Sequence, residues 1–112
     1  MSIVSNKLRE SAGHPDACCT LNIEGVCPDY TDAKTAGNVL CHIRLVGECG
    51  GGQKPDDTLA CFGCGPCHDV FDSRVPGMEK MSPDWLFYAM RGMARTHRFW
   101  HRIGLLNIKG AK

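Results

Sequence analysis

Two histidines and one acidic residue in this sequence have the types and spacing needed for phosphoryl chemistry. His42 lies in an apolar run, whereas His68 directly follows a Cys64-x-x-Cys67 pair and has Asp72 four residues after it. A neutral imidazole can take a proton from water near neutral pH. An imidazole and a carboxylate one helical turn apart share a helix face and can hold a divalent ion. The pattern predicts metal-assisted phosphodiester cleavage, in which His42 activates the attacking water.

A glycine-rich stretch separates the two histidines and ends at Asp57. We expect Asp57 to orient His42 through the ring nitrogen that does not meet the water. Each histidine taken alone has a simpler explanation. A single histidine on a strand is usually a hydrogen-bonded core residue, and His68 beside a zinc cysteine can itself be a zinc ligand. The catalytic interpretation depends on both histidines acting together across the loop.

The cysteines predict a structural zinc site. Cys64 and Cys67 have the two-residue spacing that lets both thiolates bind one ion, and zinc prefers four such ligands in a tetrahedron. Cys19 and Cys27 supply the second pair across a turn at Gly25. The alternative for Cys19 or Cys27 is a small buried apolar residue. Any of the remaining cysteines could replace a member of this set, namely Cys18, Cys41, Cys49 and Cys61.

Composition favours a single small domain that binds metal through its thiols. The 112 residues include eight cysteines, carry a formal net charge of +1 and are 43% hydrophobic. Residues 1–10 lack the apolar core of a signal peptide, and no run of about eighteen apolar residues is present to span a membrane. We therefore expect a cytoplasmic protein with reduced cysteines. A secreted disulfide scaffold is the alternative.

Hydrophobic patterning predicts two strands and a helix around the histidines. Residues 38–45 are β-branched and apolar, which predicts a strand, and residues 58–62 form a shorter second strand. The intervening residues 46–57 are rich in glycine and have no apolar periodicity, which predicts a long loop. A helix should begin near residue 66 or 67 and end near residue 74.

Weaker patterns precede this region. Residues 6–12 predict a short helix in a polar N-terminal segment, where Lys7 and Arg9 are interpreted as part of a solvated arm, with attraction of an anion as the alternative. Residues 19–27 alternate apolar and polar side chains, which predicts a short strand and a turn that bring the two cysteines at its ends together.

A last helix is predicted from Ser82, a capping residue followed by proline, to about Ile103, with Gly104 as its stop. Helical spacing assigns two faces to it. The apolar face expected to pack on the core consists of Leu86, Ala89, Met90, Met93 and Trp100. The other face carries arginines without interleaved acids, which is typical either of a solvated basic surface or of phosphate contact. These are Arg91, Arg95, Arg98 and Arg102.

Several short segments occur in the order and spacing of a known family. They are Cys19 to Cys27, His42-Ile43-Arg44-Leu45, the loop 47–57 with Lys54-Pro55, Cys64-x-x-Cys67-His68-Asp69 with Asp72, and Gly92-Met93-Ala94-Arg95-Thr96. Together they resemble the HNH nucleases of the His-Me finger (ββα-metal) superfamily, and within it the YbcO-like nucleases encoded by prophages. The resemblance covers most of the chain.

The resemblance implies an α+β fold of one domain. A zinc-stabilised ββα core of about residues 17–76 would be followed by an added C-terminal helix over about 82–103. His42 would be the general base, Asp57 would replace the middle asparagine of HNH enzymes, and His68 would bind a catalytic Mg²⁺ or Mn²⁺. HNH enzymes commonly place an acidic metal ligand just before the base, where this sequence has a cysteine, so Asp72 is the substitute ligand. Structural zinc would be held by Cys19, Cys27, Cys64 and Cys67.

The implied substrate is DNA, gripped by its phosphates. The basic residues expected to contact it are Arg44, Lys54, Arg91, Arg95, Arg98 and Arg102. A recombination protein is a candidate second partner, and no membrane contact is expected. Two rival hypotheses are a catalytically inactive zinc-ribbon-like module that binds nucleic acid or protein, and a redox or metal-storage protein that uses the spare thiols. A binding module has no need of His42, Asp57 and His68 around one loop, which favours the nuclease.

Overall fold

The described residues fold around a pair of short strands against which the longest helix packs. The computed structural model describes residues 2–28, 37–48 and 55–111. Their elements are α1 Asn6–Glu10, a 3₁₀ turn Ser11–Gly13, β1 Val39–His42, β2 Ala60–Gly63, α2 Gly65–Phe71 and α3 Pro83–Arg102. The α+β class is confirmed, and two strands followed by a helix occur in the expected order between residues 39 and 71.

The two strands pair antiparallel in a two-stranded sheet. His42 lies opposite Ala60 at one end of the ladder, and Val39 lies opposite Gly63 at the other end. Both predicted strands are confirmed, but β1 ends three residues before the expected residue 45. Past His42 the pairing continues through one further backbone hydrogen bond, from the amide of Ile43 to the carbonyl of Leu59 at 2.9 Å. His42 is the last strand residue before the chain turns away.

Helix α2 follows β2 with almost no connection. Cys64 occupies the cap position and Pro66 the first turn, where a fixed φ favours helix initiation. The helix ends at Phe71 rather than near residue 74. Ser73 adopts a φ of 61°, a left-handed conformation that does not continue a right-handed helix. The predicted start of α2 is confirmed and its predicted end was too late.

Helix α3 has the predicted bounds. The Ser82 side chain accepts a hydrogen bond from the amide of Trp85 at 3.2 Å, so it caps the first turn. Gly104 follows the helix with a φ of 84°, which a residue without a Cβ adopts at little cost. No helix in the described ranges, α3 included, is long and apolar enough to span a membrane.

The face that α3 buries differs from the predicted apolar face. Ala89 and Trp100 are buried as expected, whereas Met90 is 70% exposed and Leu86 36% exposed. The helix is turned so that small residues meet the sheet: a Cβ on Gly92 would lie 3.1 Å from the Cβ of Cys61. The full set of buried residues on α3 is Trp85, Ala89, Gly92, Thr96, Phe99 and Trp100. Hydrophobicity alone missed this face because close approach to a strand selects small side chains.

The strand predicted within residues 19–27 is absent, so that part of the prediction was wrong, whereas the predicted turn at Gly25 is present. This segment forms bends and a turn, and Asn22 and Gly25 have φ values of 44° and 78°, which interrupt an extended chain. The segment is attached to β2 at one point, because the amides of Thr20 and Leu21 both donate to the carbonyl of Phe62. The turns nevertheless bring the two ends of the segment to the same place.

The N-terminal segment is part of the folded domain rather than a solvated arm. The predicted helix 6–12 is present as α1 and the 3₁₀ turn that continues it. Leu8 and Ala12 are buried in a cluster with Phe62 and Trp100. The indole of Trp100 donates to the Ser11 hydroxyl at 2.7 Å. These contacts tie α1 to the end of α3.

Candidate active site and metal cluster

The four predicted zinc cysteines lie together. The sulfur atoms of Cys19, Cys27, Cys64 and Cys67 all lie within 4.8 Å of one another. The Sγ atoms of Cys27 and Cys64 are 3.9 Å apart, close to the separation of about 3.8 Å that a tetrahedral Zn²⁺ with Zn–S bonds of about 2.3 Å requires. The cluster could therefore bind a metal ion such as zinc.

Two structural units supply the ligands in pairs. Cys64 caps α2 and Cys67 lies in its first turn, whereas Cys19 and Cys27 come from the turns before β1. The amide of Asn22 donates to the Sγ of Cys19 at 3.3 Å, as expected for a sulfur that carries negative charge. Metal bound here would cross-link the turn segment to the start of α2.

The thiols cannot all ionise without a cation. A hydrogen bond from Cys67 lowers the pKa of Cys19 to about 5. Burial and the charge of Cys19 raise the pKa of Cys27 to about 12. The charge of one thiolate therefore opposes ionisation of the next thiol. A divalent cation would remove this repulsion by neutralising the ligands.

The described cysteines outside the cluster do not replace any of the four. Cys41 and Cys61 face each other across the ladder and are fully buried. Burial raises the pKa of both thiols above the ordinary value, so they behave as small apolar residues. Cys18 is half-buried, and Cys49 lies outside the described residues.

His42 contacts the carboxylate that was predicted to orient it. Its Nε2 lies 2.8 Å from Oδ1 of Asp57. Asp57 has 0% exposure, and its other partners are the amide of Ser5 at 2.7 Å and Nε of Arg9, which reaches both oxygens at 3.1 and 3.0 Å. A buried carboxylate is thus fully surrounded by donors.

The ionisation of Asp57 decides which nitrogen of His42 carries the proton. Burial opposes its ionisation, but the hydrogen bonds from His42, Ser5 and Arg9 outweigh it, so the pKa of Asp57 lies below its ordinary value. An ionised carboxylate only accepts hydrogen bonds, so Nε2 of a neutral His42 must donate. The proton-accepting role then falls to Nδ1.

His42 opens onto a cleft of about 420 Å³. Arg9, Arg44 and Pro55 are among the other residues that line it. The His42 side chain is 24% exposed, so it is held by its neighbours yet reachable. Two arginines beside a partly exposed imidazole form a site suited to an anion.

His68 and Asp72 form the predicted pair on α2. Nε2 of His68 lies 2.8 Å from Oδ2 of Asp72, and Arg74 approaches the same carboxylate oxygen at 3.5 Å. Burial opposes ionisation of Asp72, but the hydrogen bond and charge of His68 and the charge of Arg74 outweigh it and hold its pKa below the ordinary value. Among the described residues, only the cysteine cluster brings three or more His, Cys, Asp or Glu ligands close enough to share an ion.

The two histidines belong to different faces of the hairpin. A Cβ on Gly63 would lie 2.5 Å from the Sγ of Cys41 and 3.7 Å from the Cβ of His68, so Cys41 faces α2. Successive strand residues point to opposite sides, and His42 accordingly lies with Arg9 of α1.

The arginines of α3 divide into two groups. Arg91 donates to the carbonyls of Leu21 and Asn22, both at 3.1 Å, and packs over the Phe87 and Tyr88 rings. The other three line a cleft of about 620 Å³ that also contains Thr20 and Asn22. These are Arg95, Arg98 and Arg102. Lys54, the remaining predicted contact, lies outside the described residues.

The sequence matches a family of known proteins. Residues 6–105 match the model of the family described as "Putative nuclease YbcO". The chain belongs to the YbcO family. Two curated relatives carry that same description, one from Escherichia coli strain K12 and one from Enterobacteria phage 82, each 38% identical over 88 residues, which is 79% of this chain and 85% of the relative.

A solved structure supports the fold of this YbcO family member. It is described as "Structure of a putative bacteriophage protein from Escherichia coli str. K-12 substr. MG1655" and is 31% identical. The TM-score is 0.64, with 88% of this chain and 99% of the other covered. The YbcO resemblance inferred from the sequence is therefore confirmed, and its phage connection is carried by the relative from phage 82.

The sequence did not predict that the N-terminal segment contacts Asp57. Arg9 and Ser5 contact Asp57 across 48 and 52 positions of sequence. Nothing near Arg9 in sequence indicates its partner, and a basic residue on a short polar helix is typical of a solvated surface. The one available signal was the position of Asp57 directly before a predicted strand, because a carboxylate that becomes buried there needs donors besides His42.

Proposed function

We propose that this YbcO-family protein is a metal-dependent endonuclease of the HNH type that hydrolyses phosphodiester bonds in DNA, with His42 as the general base. The contact between His42 and the buried, ionised Asp57 carries the proposal. A core residue would satisfy its imidazole without an arginine-lined cleft, whereas His42 is partly exposed and opens onto one. Strand order also supports it, since β1, β2 and α2 follow one another as in a ββα core.

His42 would act on the water that attacks phosphorus. Nδ1 takes one proton from the water as its oxygen forms a bond to phosphorus. The bond from phosphorus to the leaving sugar oxygen breaks, and that oxygen takes a proton from solvent. Asp57 stabilises the resulting imidazolium through Nε2. The carboxylate therefore orients the base and balances its charge after proton transfer.

His68 and Asp72 would hold the catalytic ion. Their facing atoms are 2.8 Å apart, close to the separation of about 3.0 Å between neighbouring ligands of an octahedral ion at about 2.1 Å. An imidazole with a carboxylate suits Mn²⁺ better than Mg²⁺, which prefers oxygen ligands alone. When bound, such an ion would polarise a phosphate, but His68 lies on the α2 face of the hairpin and His42 on the α1 face, which counts against this pair serving the same phosphate as His42.

The cysteine cluster would hold structural zinc, not the catalytic ion. Four thiolates leave a tetrahedral ion no open position for substrate. Cys64 directly follows β2 and caps α2, so zinc there would fix the hairpin against the helix that carries His68 and Asp72. Zinc would thus set the geometry of the site indirectly.

The arginines would grip the DNA backbone. Arg44 lines the cleft beside His42, and Arg95, Arg98 and Arg102 line the second cleft on α3. Each phosphate contact releases counterions, so binding should weaken as salt rises. Arg91 belongs to the same helix, but its contacts with the Leu21 and Asn22 carbonyls make it a structural clamp in the absence of DNA.

Cleavage of supercoiled plasmid by purified protein tests this function. We expect nicking with Mn²⁺ or Mg²⁺ that chelator abolishes, and a loss of activity of at least about 10²-fold in His42→Ala. His101→Ala is the matched control, because His101 lies at the end of α3, outside both clefts. Equal nicking by wild type and His42→Ala would reject His42 as the base.

A catalytically inactive module that binds nucleic acid or protein is the second candidate. It is favoured by one observation, namely that in the described residues His68 and Asp72 have no third ligand within reach of a shared ion. Measured metal content separates the two functions. A nuclease binds an exchangeable divalent ion in addition to zinc, and His68→Ala removes it, whereas a binding module retains DNA or protein binding with zinc alone and never nicks the plasmid.

A further inference from the structure

One cation outside the predicted site is attached to the residue that orients His42. Arg9 lies on α1, and its Nε donates to both oxygens of Asp57 at 3.1 and 3.0 Å. The Asp57 side chain has 0% exposure, whereas that of Arg9 is 38% exposed. Arg9 also lines the cleft that contains His42. The guanidinium therefore connects a buried carboxylate with the open side of the site.

The chain before α1 holds Asp57 from a second direction. The amide of Ser5 donates to Oδ2 of Asp57 at 2.7 Å. The amide of Asp57 in turn donates to the carbonyl of Ile3 at 2.8 Å, and the amide of Ile3 donates to Oδ1 of Asp56 at 2.6 Å. Since backbone and side chain are both engaged, the position of Asp57 depends on the N-terminal segment.

We propose that Arg9 is a positioning residue for His42 and acts through Asp57. The proposal rests on the nuclease function for its kinetic consequence alone. A planar guanidinium holds a carboxylate in one orientation, and the oriented carboxylate fixes the imidazole with Nε2–H toward it. Nδ1 is then the unprotonated nitrogen in every molecule rather than in a fraction of them.

The charge of Arg9 has a second consequence. The charged groups of the described residues that line the cleft around His42 are Arg9 from α1 and Arg44 beyond the end of β1, with Asp57 behind the ring. Arg9 offsets part of the negative charge of Asp57. Removing it leaves a bare carboxylate beside the imidazole, which favours the protonated ring. A protonated His42 is not a base, so activity should begin only at a higher pH.

The test compares Arg9→Gln and Arg9→Lys with wild type. Lys7→Gln is the matched control, since it removes one positive charge from the same helix at an exposed position. In plasmid cleavage we expect Arg9→Gln to lower kcat by about 10–100-fold and to move the acid limb of the pH profile up by about 0.5–1 unit. Arg9→Lys keeps the charge but removes the Nε–H that donates to both oxygens of Asp57, so its acid limb should stay near that of wild type while its kcat falls.

Nitrogen NMR of the His42 ring tests the arrangement without any activity. We expect the Nε2-protonated tautomer in wild type and in Lys7→Gln, and a mixture with a higher titration midpoint in Arg9→Gln. If Arg9→Gln does not fold, the His42 tautomer of Arg9→Lys is compared with that of wild type. Loss of the guanidinium Nε–H alone should produce the mixture of tautomers.

Two outcomes overturn the proposal. Identical tautomer and titration of His42 in wild type and the Arg9 variants would show that Arg9 does not position the ring. A higher KM with unchanged kcat and acid limb would make Arg9 a substrate contact instead. A changed tautomer in a protein whose His42→Ala variant still cleaves DNA would reject the proposed base while the positioning by Arg9 stands.

Discussion

Gly63 is the position in β2 where an added methyl group has no room. A Cβ there would lie 2.5 Å from the Sγ of Cys41 and 3.0 Å from Cδ1 of Leu21, and both neighbours have 0% exposure. Ordinary contacts between such atoms are about 3.5–4.0 Å, so the sulfur must move by about 1 Å within a closed core. We expect Gly63→Ala to lower the free energy of unfolding by about 1–3 kcal/mol.

A double-mutant cycle separates this clash from other effects. Cys41→Ala removes the sulfur and alone should cost about 1 kcal/mol of stability. The new methyl group of Gly63→Ala can occupy the vacated space, so the double variant should be more stable than additivity predicts by about 1–2 kcal/mol. Gly13→Ala is the matched control, because nothing lies within 4 Å of its added Cβ; it should stay within about 0.5 kcal/mol of wild type.

Unfolding in guanidinium chloride at pH 7, with zinc and a reducing agent, measures the stability of wild type and the four variants. Zinc content is determined in parallel, because Gly63 directly precedes Cys64. An additive double variant, or a Gly63→Ala protein as stable as wild type, would refute the packing argument. Loss of zinc that Cys41→Ala does not relieve would place the strain in the cysteine cluster instead.

Three further predictions concern charge and metal. Cys64→Ser should lose zinc and unfold, since metal binding and folding are coupled; an unchanged melting curve would remove Cys64 from the cluster. Asp57→Asn should destabilise by about 1.5–3 kcal/mol at pH 7. Because the pKa of Asp57 is lowered in the folded state, its contribution is full above about pH 4 and is lost as pH falls through the folded value. The difference in stability between Asp57→Asn and wild type, measured by thermal unfolding, should therefore become smaller below about pH 4. Arg98→Gln should reduce the salt dependence of DNA binding, measured as the slope of log K against log salt, by about 0.9.

Controls accompany these variants. Asp69→Asn removes a carboxylate from the exposed pair with Arg74 and should change stability by less than about 0.5 kcal/mol at any pH. The ionisation assigned to Asp57 would be contradicted if the difference in stability between Asp57→Asn and wild type stayed constant with pH. It would also be contradicted if that difference equalled the one for Asp69→Asn. An unchanged salt slope in Arg98→Gln would remove that residue from the DNA contact.

Local features of the sequence were sufficient to predict the elements near the site. Ser82 and Gly104 bound α3 because capping and a left-handed stop act within one turn. The spacing of Cys64 and Cys67 indicated a shared ion, because two ligands three positions apart also lie within one turn. The second cysteine pair lies beside the first as predicted, although bends and a turn rather than a strand and a turn join its members.

Contacts between distant segments were not predictable in this way. The buried face of α3 is selected by the close approach of Gly92 to Cys61, a packing requirement that hydrophobicity does not record. The attachment of Arg9 to Asp57 depends on two segments that are adjacent only after folding. Charge on an isolated helix has the same pattern whether it faces water or a buried acid.

The sequence by itself determined the chemistry that is present: which thiols could share an ion, which imidazoles could carry a proton, and where the helices begin. Only the tertiary structure decided which donors besides His42 surround Asp57 and which arginine holds that carboxylate in place. The physical reason is range. Capping and ligand spacing act over a few residues, whereas the burial of Asp57 obliges it to find donors, and one of them, Arg9, lies on α1, 48 positions earlier in the chain.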